Sequence, residues 1–69
     1  MNEHDVIILK NGINGIRTGA KGTIVFVYSI GVYEVEFMVN GKSVTEVLTD
    51  EDVSLFHNSP YWWFADIIH

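Results

Sequence analysis

The run Val32 to Met38, VYEVEFM, alternates large apolar side chains with glutamates: Tyr33, Val35 and Phe37 against Glu34 and Glu36. Successive side chains of a strand point to opposite faces, so this period of two marks a half-buried strand, apolar side chains inward and both carboxylates outward. A helix would scatter the same residues around its circumference. The fold must therefore contain a sheet with one dry face and one wet one, and the neighbouring segments supply the rest of it. Gly22 to Tyr28 (GTIVFVY) and Asp5 to Leu9 are rich in β-branched residues, while Lys42 to Leu48 follows Asn40-Gly41, a dipeptide suited to two-residue hairpins. Ser29-Ile30-Gly31 separates the second and third runs and includes a glycine able to take positive φ, so the middle of the chain reads as an antiparallel meander.

Between the first two strands lies KNGINGIRTGAK, too rich in glycine for a helix and too long for a tight turn; it is expected to form a wide loop, with Ile13 and Ile16 folding its middle back onto the sheet. Gly19 and Gly22 bracket the entry to the second strand, where a backbone without Cβ can approach its neighbour closely. After the fourth strand, TDEDVSLF offers Thr49 as an N-cap for one short helical or 3₁₀ turn, and Val53 to Phe56 can return as a fifth strand. Ile24, Val27, Tyr33, Val35 and Phe37 are the expected core. The first strand leaves its register open, since Val6, Ile7, Ile8 and Leu9 are all apolar and either alternate pair can face inward; its outer face then needs a cover. Five short strands with one long first loop make an all-β, partly open barrel.

GAKGTIVFVY followed by YEVEF resembles the SH3-like barrels of the KOW type, and more closely a family of small bacterial proteins of unknown function. In that family an opening strand, a loop ending in a Gly-x-x-Gly-Thr-hydrophobic-Val turn and a Tyr-Glu-Val-Glu-Phe strand recur, and the match runs from residue 5 to about residue 55 in order and spacing. The resemblance implies a five-stranded SH3-like barrel over residues 1–56. It says less about function, because the recurring residues are those a small barrel needs in order to turn and fill its core.

At 69 residues the chain has room for one core. With 48% apolar residues and 19% charged ones it is too hydrophobic to stay unfolded. The absence of cysteine excludes disulfides and thiolate chemistry and makes a cytoplasmic address the default; the N-terminal MNEHDVIILK reads as neither a signal peptide nor a membrane span. Net charge is −5, unevenly spread: residues 1–31 sum to +1 and residues 32–69 to −6. Affinity for nucleic acid comes largely from lysine and arginine displacing counterions, so this balance points away from DNA or RNA and toward a basic partner protein.

Residues 57–69, HNSPYWWFADIIH, form an aromatic extension beyond the resemblance. Ser59 and Pro60 fit an N-cap and first helical position, so a short helix from Pro60 to about Ile67 is expected, packed on the barrel or at an interface. Tyr61, Phe64 and Ile68 share one helical stripe that can cover the open end of the barrel, the first strand, or a second copy of this chain. Trp62 and Trp63 would then face away from the stripe, and tryptophan is strongly enriched in binding hot spots.

Catalytic and metal chemistry find little support. His4, His57 and His69 lack the spacing of a metal site, and the run Asp50-Glu51-Asp52 lacks the loop and glycine of a calcium site. None of Ser29, Ser43, Ser54 and Ser59 sits in a nucleophile elbow. Glu34 and Glu36 share a face, as paired catalytic carboxylates would, but such pairs more often keep a sheet soluble. No cofactor is called for. The composition reads as a small acidic, non-enzymatic protein-binding module using Glu34, Glu36, Tyr61, Trp62, Trp63 and Asp66, its specific form an antitoxin or immunity protein that neutralises a basic toxin or nuclease. The KOW resemblance implies the alternative of an RNA- or ribosome-associated protein, supported only by Lys10, Arg17 and Lys21. An accessory subunit of a larger enzyme is the third reading.

Overall fold

The computed structural model describes residues 1–56, which hold five strands and no helix. The strands are β1 (Val6–Leu9), β2 (Lys21–Ser29), β3 (Val32–Val39), β4 (Lys42–Thr49) and β5 (Val53–Leu55). They form one open antiparallel sheet in the order β4-β3-β2-β1-β5, so the first four make a meander and β5 returns beside β1. No described helix is long and apolar enough to cross a membrane. The extension expected over 57–69, with its helix, lies outside the described residues.

Hairpin chemistry follows the sequence. Asn40 and Gly41 both take positive φ, 51° and 78°, and close β3 onto β4 with Val39 paired to Lys42. That is the conformation of a type I′ turn, whose twist matches that of the strands it joins. Asn14-Gly15 repeats it inside the first loop, at 48° and 83°, where Ile13 and Ile16 exchange both backbone hydrogen bonds. The wide loop is thus pinched by a miniature hairpin that the same dipeptide signals. Only Ile16 is buried; Ile13, expected to fold back with it, remains at the rim with 36% of its surface exposed.

Two register shifts interrupt β2, between Ile24 and Phe26 and between Val27 and Ser29. Each bulge adds a residue, bends the strand and reverses which side chains face inward. This is how Ile24 and Val27, three residues apart, both reach the core, Val27 as a half-buried neighbour of it. The core itself is Ile7, Leu9, Ile16, Ile24, Tyr33, Val35, Phe37, Leu48 and Val53. In β1 it is therefore Ile7 and Leu9 that point inward, leaving Val6 and Ile8 half-buried on the outer face.

Gly22 lies under this core, paired with Phe37. A Cβ there would meet Val35 Cγ1 at 2.6 Å and Phe37 Cε1 at 2.7 Å, so the close approach expected at this glycine is real and is filled by neighbouring side chains.

The β4–β5 connection departs from expectation in detail. It is a single turn closed by Asp52 N–H donating to the Thr49 carbonyl at 2.9 Å, with no helix propagating from it. Thr49 ends β4, and its hydroxyl does not accept as a cap would. Instead the Asp52 carboxylate accepts from both the Thr49 N–H, at 2.9 Å, and the Thr49 hydroxyl, at 3.1 Å. The Asp52 carboxylate thus reaches back as the acidic half of a capping box does, without the reciprocal bond from the threonine. β5 stops at Leu55, although Phe56 still donates its N–H to the Val6 carbonyl.

Candidate functional site

The outer face of the sheet is built around β3. Glu34 is flanked across the strands by Phe26 of β2 and Val47 of β4, and Glu36 by Thr23 and Thr45. Both glutamates face away from the core, as their alternation with Tyr33, Val35 and Phe37 requires, Glu34 half-buried and Glu36 exposed. A hydroxyl holds each carboxylate: Tyr28 donates to Glu34 Oε1, and Ser43 donates to Glu36 Oε2 at 2.6 Å. The bond to Glu34, with smaller contributions from burial and from its charge, raises the Tyr28 phenol above the ordinary tyrosine range.

Around Glu34 the face is apolar. Phe26, Tyr28 and Val47 are 48%, 51% and 58% exposed, too much for core residues and enough to form a patch. The rings of Phe26 and Tyr28 meet edge to face, centroids 4.8 Å apart at 73°, an arrangement that fixes both rings on the surface. Sequence reasoning missed this patch. A regular strand running from Ile24 would turn Phe26 and Tyr28 inward; the first bulge turns them out. The signal was present in the pairing of Ile24 with Val27 as core residues, a spacing that no regular strand satisfies.

Tyr61, Trp62, Trp63 and Asp66, the other residues expected to bind a partner, lie outside the described residues. Of the basic residues of the first loop, Lys21 places its Nζ 4.1 Å from the centre of the Phe56 ring, a cation–π contact. Arg17 borders a shallow cleft between residues 15–20 and 38–40. Glu46 faces the core side at the edge of the sheet, where Asn14 Nδ2 donates to it at 3.1 Å, tying the loop hairpin to β4. Among the described residues no group of three or more histidine, cysteine or acidic side chains is placed to hold a metal ion.

Among the described residues, Tyr33 and Asp50 form the one side-chain hydrogen bond that reaches the core. The Tyr33 hydroxyl donates to Asp50 Oδ1 at 2.6 Å, and Asp50 N–H donates to the Gly31 carbonyl, so the carboxylate latches the β2–β3 turn to the β4–β5 turn. The bond to Asp50, then burial, then the Asp50 charge raise the Tyr33 phenol above its ordinary value. A raised phenol pKa means that the folded state holds its proton more tightly than the unfolded chain. This contribution is complete below about pH 10, the value in unfolded chains, and is lost as pH rises from there through the folded-state value. Denaturant melts of the wild type and Tyr33→Phe should converge across that alkaline window. Below it the variant should be the less stable of the two, because it lacks the hydroxyl that donates to Asp50.

Compared with family models, curated proteins and solved structures, the chain matches none.

Proposed function

We propose that this chain is a small acidic protein-binding module with an SH3-like barrel of the KOW type, which recognises a basic protein through the outer face of its sheet and the aromatic residues Tyr61, Trp62 and Trp63 beside Asp66. The observation that carries the reading is Glu34 framed by exposed Phe26, Tyr28 and Val47 on a chain of net charge −5. Exposed aromatic surface supplies affinity, and fixed carboxylates steer a cationic partner and set its orientation. The KOW-type assignment is supported by the four-strand meander, the long first loop, and a single turn before a fifth strand that returns to the first.

The specific form of this reading is an antitoxin or immunity protein that occupies the basic active surface of a toxin or nuclease in the bacterial cytoplasm. Affinity capture of the tagged full-length chain from its native lysate, beside a Glu34→Lys/Glu36→Lys variant, tests it. One dominant basic protein should be recovered by the wild type and lost from the charge-reversed variant, with the remaining complex weakened by added salt. Recovery of RNA with ribosomal proteins, equal for both chains, would replace the reading with the KOW-like alternative. Recovery of an enzyme's other subunits would make the chain an accessory subunit.

A further inference from the structure

We propose that the basic partner presents an extended segment that pairs with the open edge of β4 as a sixth strand, antiparallel to it, with lysine or arginine at alternate positions lying over the row of Glu34 and Glu36. The inference rests on the proposed reading of the outer face as a surface for a basic protein; what it adds is the form of the bound segment, and that form is tested separately from the charge of the face.

The phase of the hydrogen bonds along β4 leads to it. The two-residue Asn40-Gly41 turn makes Val39 and Lys42 a hydrogen-bonded pair, and in an antiparallel ladder such pairs alternate with non-hydrogen-bonded ones. At the far end of the strand Asp50 N–H donates to the Gly31 carbonyl, in the same phase. Lys42, Val44, Glu46 and Leu48 therefore direct their backbone groups to β3, and Ser43, Thr45 and Val47 turn theirs away from it. β4 is an end strand of the sheet, and among the described residues the N–H and carbonyl groups of these three meet no partner. Thr49 differs, because its N–H donates to the Asp52 carboxylate and its carbonyl accepts from the Asp52 N–H. An edge of this kind is a template for another strand. Proline and bulges, which blunt such edges, are absent: β4 reads KSVTEVLT and pairs with β3 over eight residues without a register shift.

Charge and side-chain size choose the occupant. Ser43, Thr45 and Val47 are exposed, and their side chains share the outer face with Glu34 and Glu36. A strand added at β4 lies two strand spacings, about 10 Å, from β3, with Val47 standing between it and Glu34, and Thr45 between it and Glu36. Lysine and arginine have stems long enough to cross so low a row. Each glutamate keeps an oxygen for them: Tyr28 and Ser43 donate to Glu34 Oε1 and Glu36 Oε2, and the second oxygen of each has no donor among the described residues. Glu46, on the opposite face of the same edge, adds a third carboxylate. A second copy of this chain would instead set a net charge of −5 against −5, and residues 57–69 contain no lysine or arginine, so neither matches the edge in charge. Antiparallel pairing continues the sheet and is the more stable arrangement per residue. The added strand lies beside Phe26, Tyr28 and Glu34 rather than over them, which leaves the outer face open to the rest of the partner.

The test reads amide hydrogen exchange by NMR in the full-length chain, at a concentration where sedimentation shows a monomer, alone and with a short blocked peptide that alternates threonine with lysine. Alone, the amides of Ser43, Thr45 and Val47 should exchange as open ones and those of Val44, Glu46 and Leu48 should be protected. With millimolar peptide the first three should slow by about tenfold or more, and added salt should weaken the effect. Methylating the lysine backbone nitrogens, which face β4 in this pairing, should abolish the slowing; methylating the threonine nitrogens should leave it. Thr45→Pro removes an edge N–H and none that β3 uses, so it should keep its sheet signals and lose the response. Should that variant unfold, the two methylated peptides decide. Protection of the three amides in the peptide-free monomer would overturn the proposal by giving the edge to another part of this chain, and protection that grows with protein concentration would give it to a second copy. No slowing at millimolar peptide overturns it as well. Peptide-induced shifts on the outer face that Glu34→Lys/Glu36→Lys abolishes, with exchange at the edge unchanged, would overturn the added strand while the charged face stands. Slowing undiminished by that charge reversal would overturn the pairing of lysine with glutamate and, with it, the reading of the face.

Discussion

Phe37→Ala should cost about 3–5 kcal/mol, the range for removing a buried aromatic side chain. Phe37 is 1% exposed, heads the largest fully buried side chains, and is paired with Gly22 on one side and Val44 on the other. Its ring also fills the space that Gly22 leaves, so truncation opens a cavity between β2 and β3 that neither neighbour can close without moving the sheet. The loss is large against the whole: at roughly 0.05–0.15 kcal/mol per residue, a chain of this length is held by about 3–10 kcal/mol. The melting temperature should fall by more than about 12 °C, followed by far-UV circular dichroism. A loss under about 1 kcal/mol would mean that Phe37 does not occupy the centre of the core.

Gly22→Ala is the opposite disturbance and should also be severe. Its added methyl would lie 2.6 Å from Val35 Cγ1 and 2.7 and 2.9 Å from Phe37 Cε1 and Cδ1, well inside van der Waals contact. Both neighbours are buried at the middle of β3, so relief requires the two strands to separate. Gly22 does not take positive φ, so packing alone sets the penalty. Overpacking of this kind costs about 1–3 kcal/mol, sometimes more, against a gain of about 0.4–1 kcal/mol from a less flexible unfolded chain. Because part of the clash is with Val35, Gly22→Ala/Val35→Ala should be more stable than the two single losses add up to, and a double-mutant cycle from urea melts measures that coupling. Strict additivity would leave the clash to Phe37.

Much of this arrangement was legible in the residues, and the exceptions share a cause. Alternation in VYEVEFM placed β3 with its inward and outward sides correct, because a period of two admits one answer once a face is buried. Asn40-Gly41 marked its hairpin through positive φ. Where register shifts, alternation misleads: Val27 was placed toward the core correctly, but the bulges of β2 that bring it there also expose Phe26 and Tyr28, and that half of the candidate site was not read from the sequence. The open register of β1 had no local solution either, since all four residues are apolar; pairing with Gly22 and Val53 settles Ile7 and Leu9 inward. Thr49 and Ile13 were misjudged because each was read for its own side chain, when the Asp52 carboxylate and the Asn14-Gly15 turn organise their surroundings.

The surface that follows is compact. Glu34 and Glu36 sit on β3, between β4 and β2, the aromatic pair is beside them on β2, and the described chain ends on the same face. On the proposed reading, charge would supply approach and orientation and apolar area residence, the usual division of labour in protein recognition.

The most direct measurement of the central claim is a calorimetric titration of the captured basic protein with purified full-length chain, repeated with Glu34→Lys/Glu36→Lys and with Trp62→Ala/Trp63→Ala. If the outer face and the tryptophans are the binding surface, each folded variant should bind more weakly by about 30-fold or more, the effect of losing a hot spot. Unchanged affinity in both folded variants would contradict the account and move the binding surface off this face of the sheet.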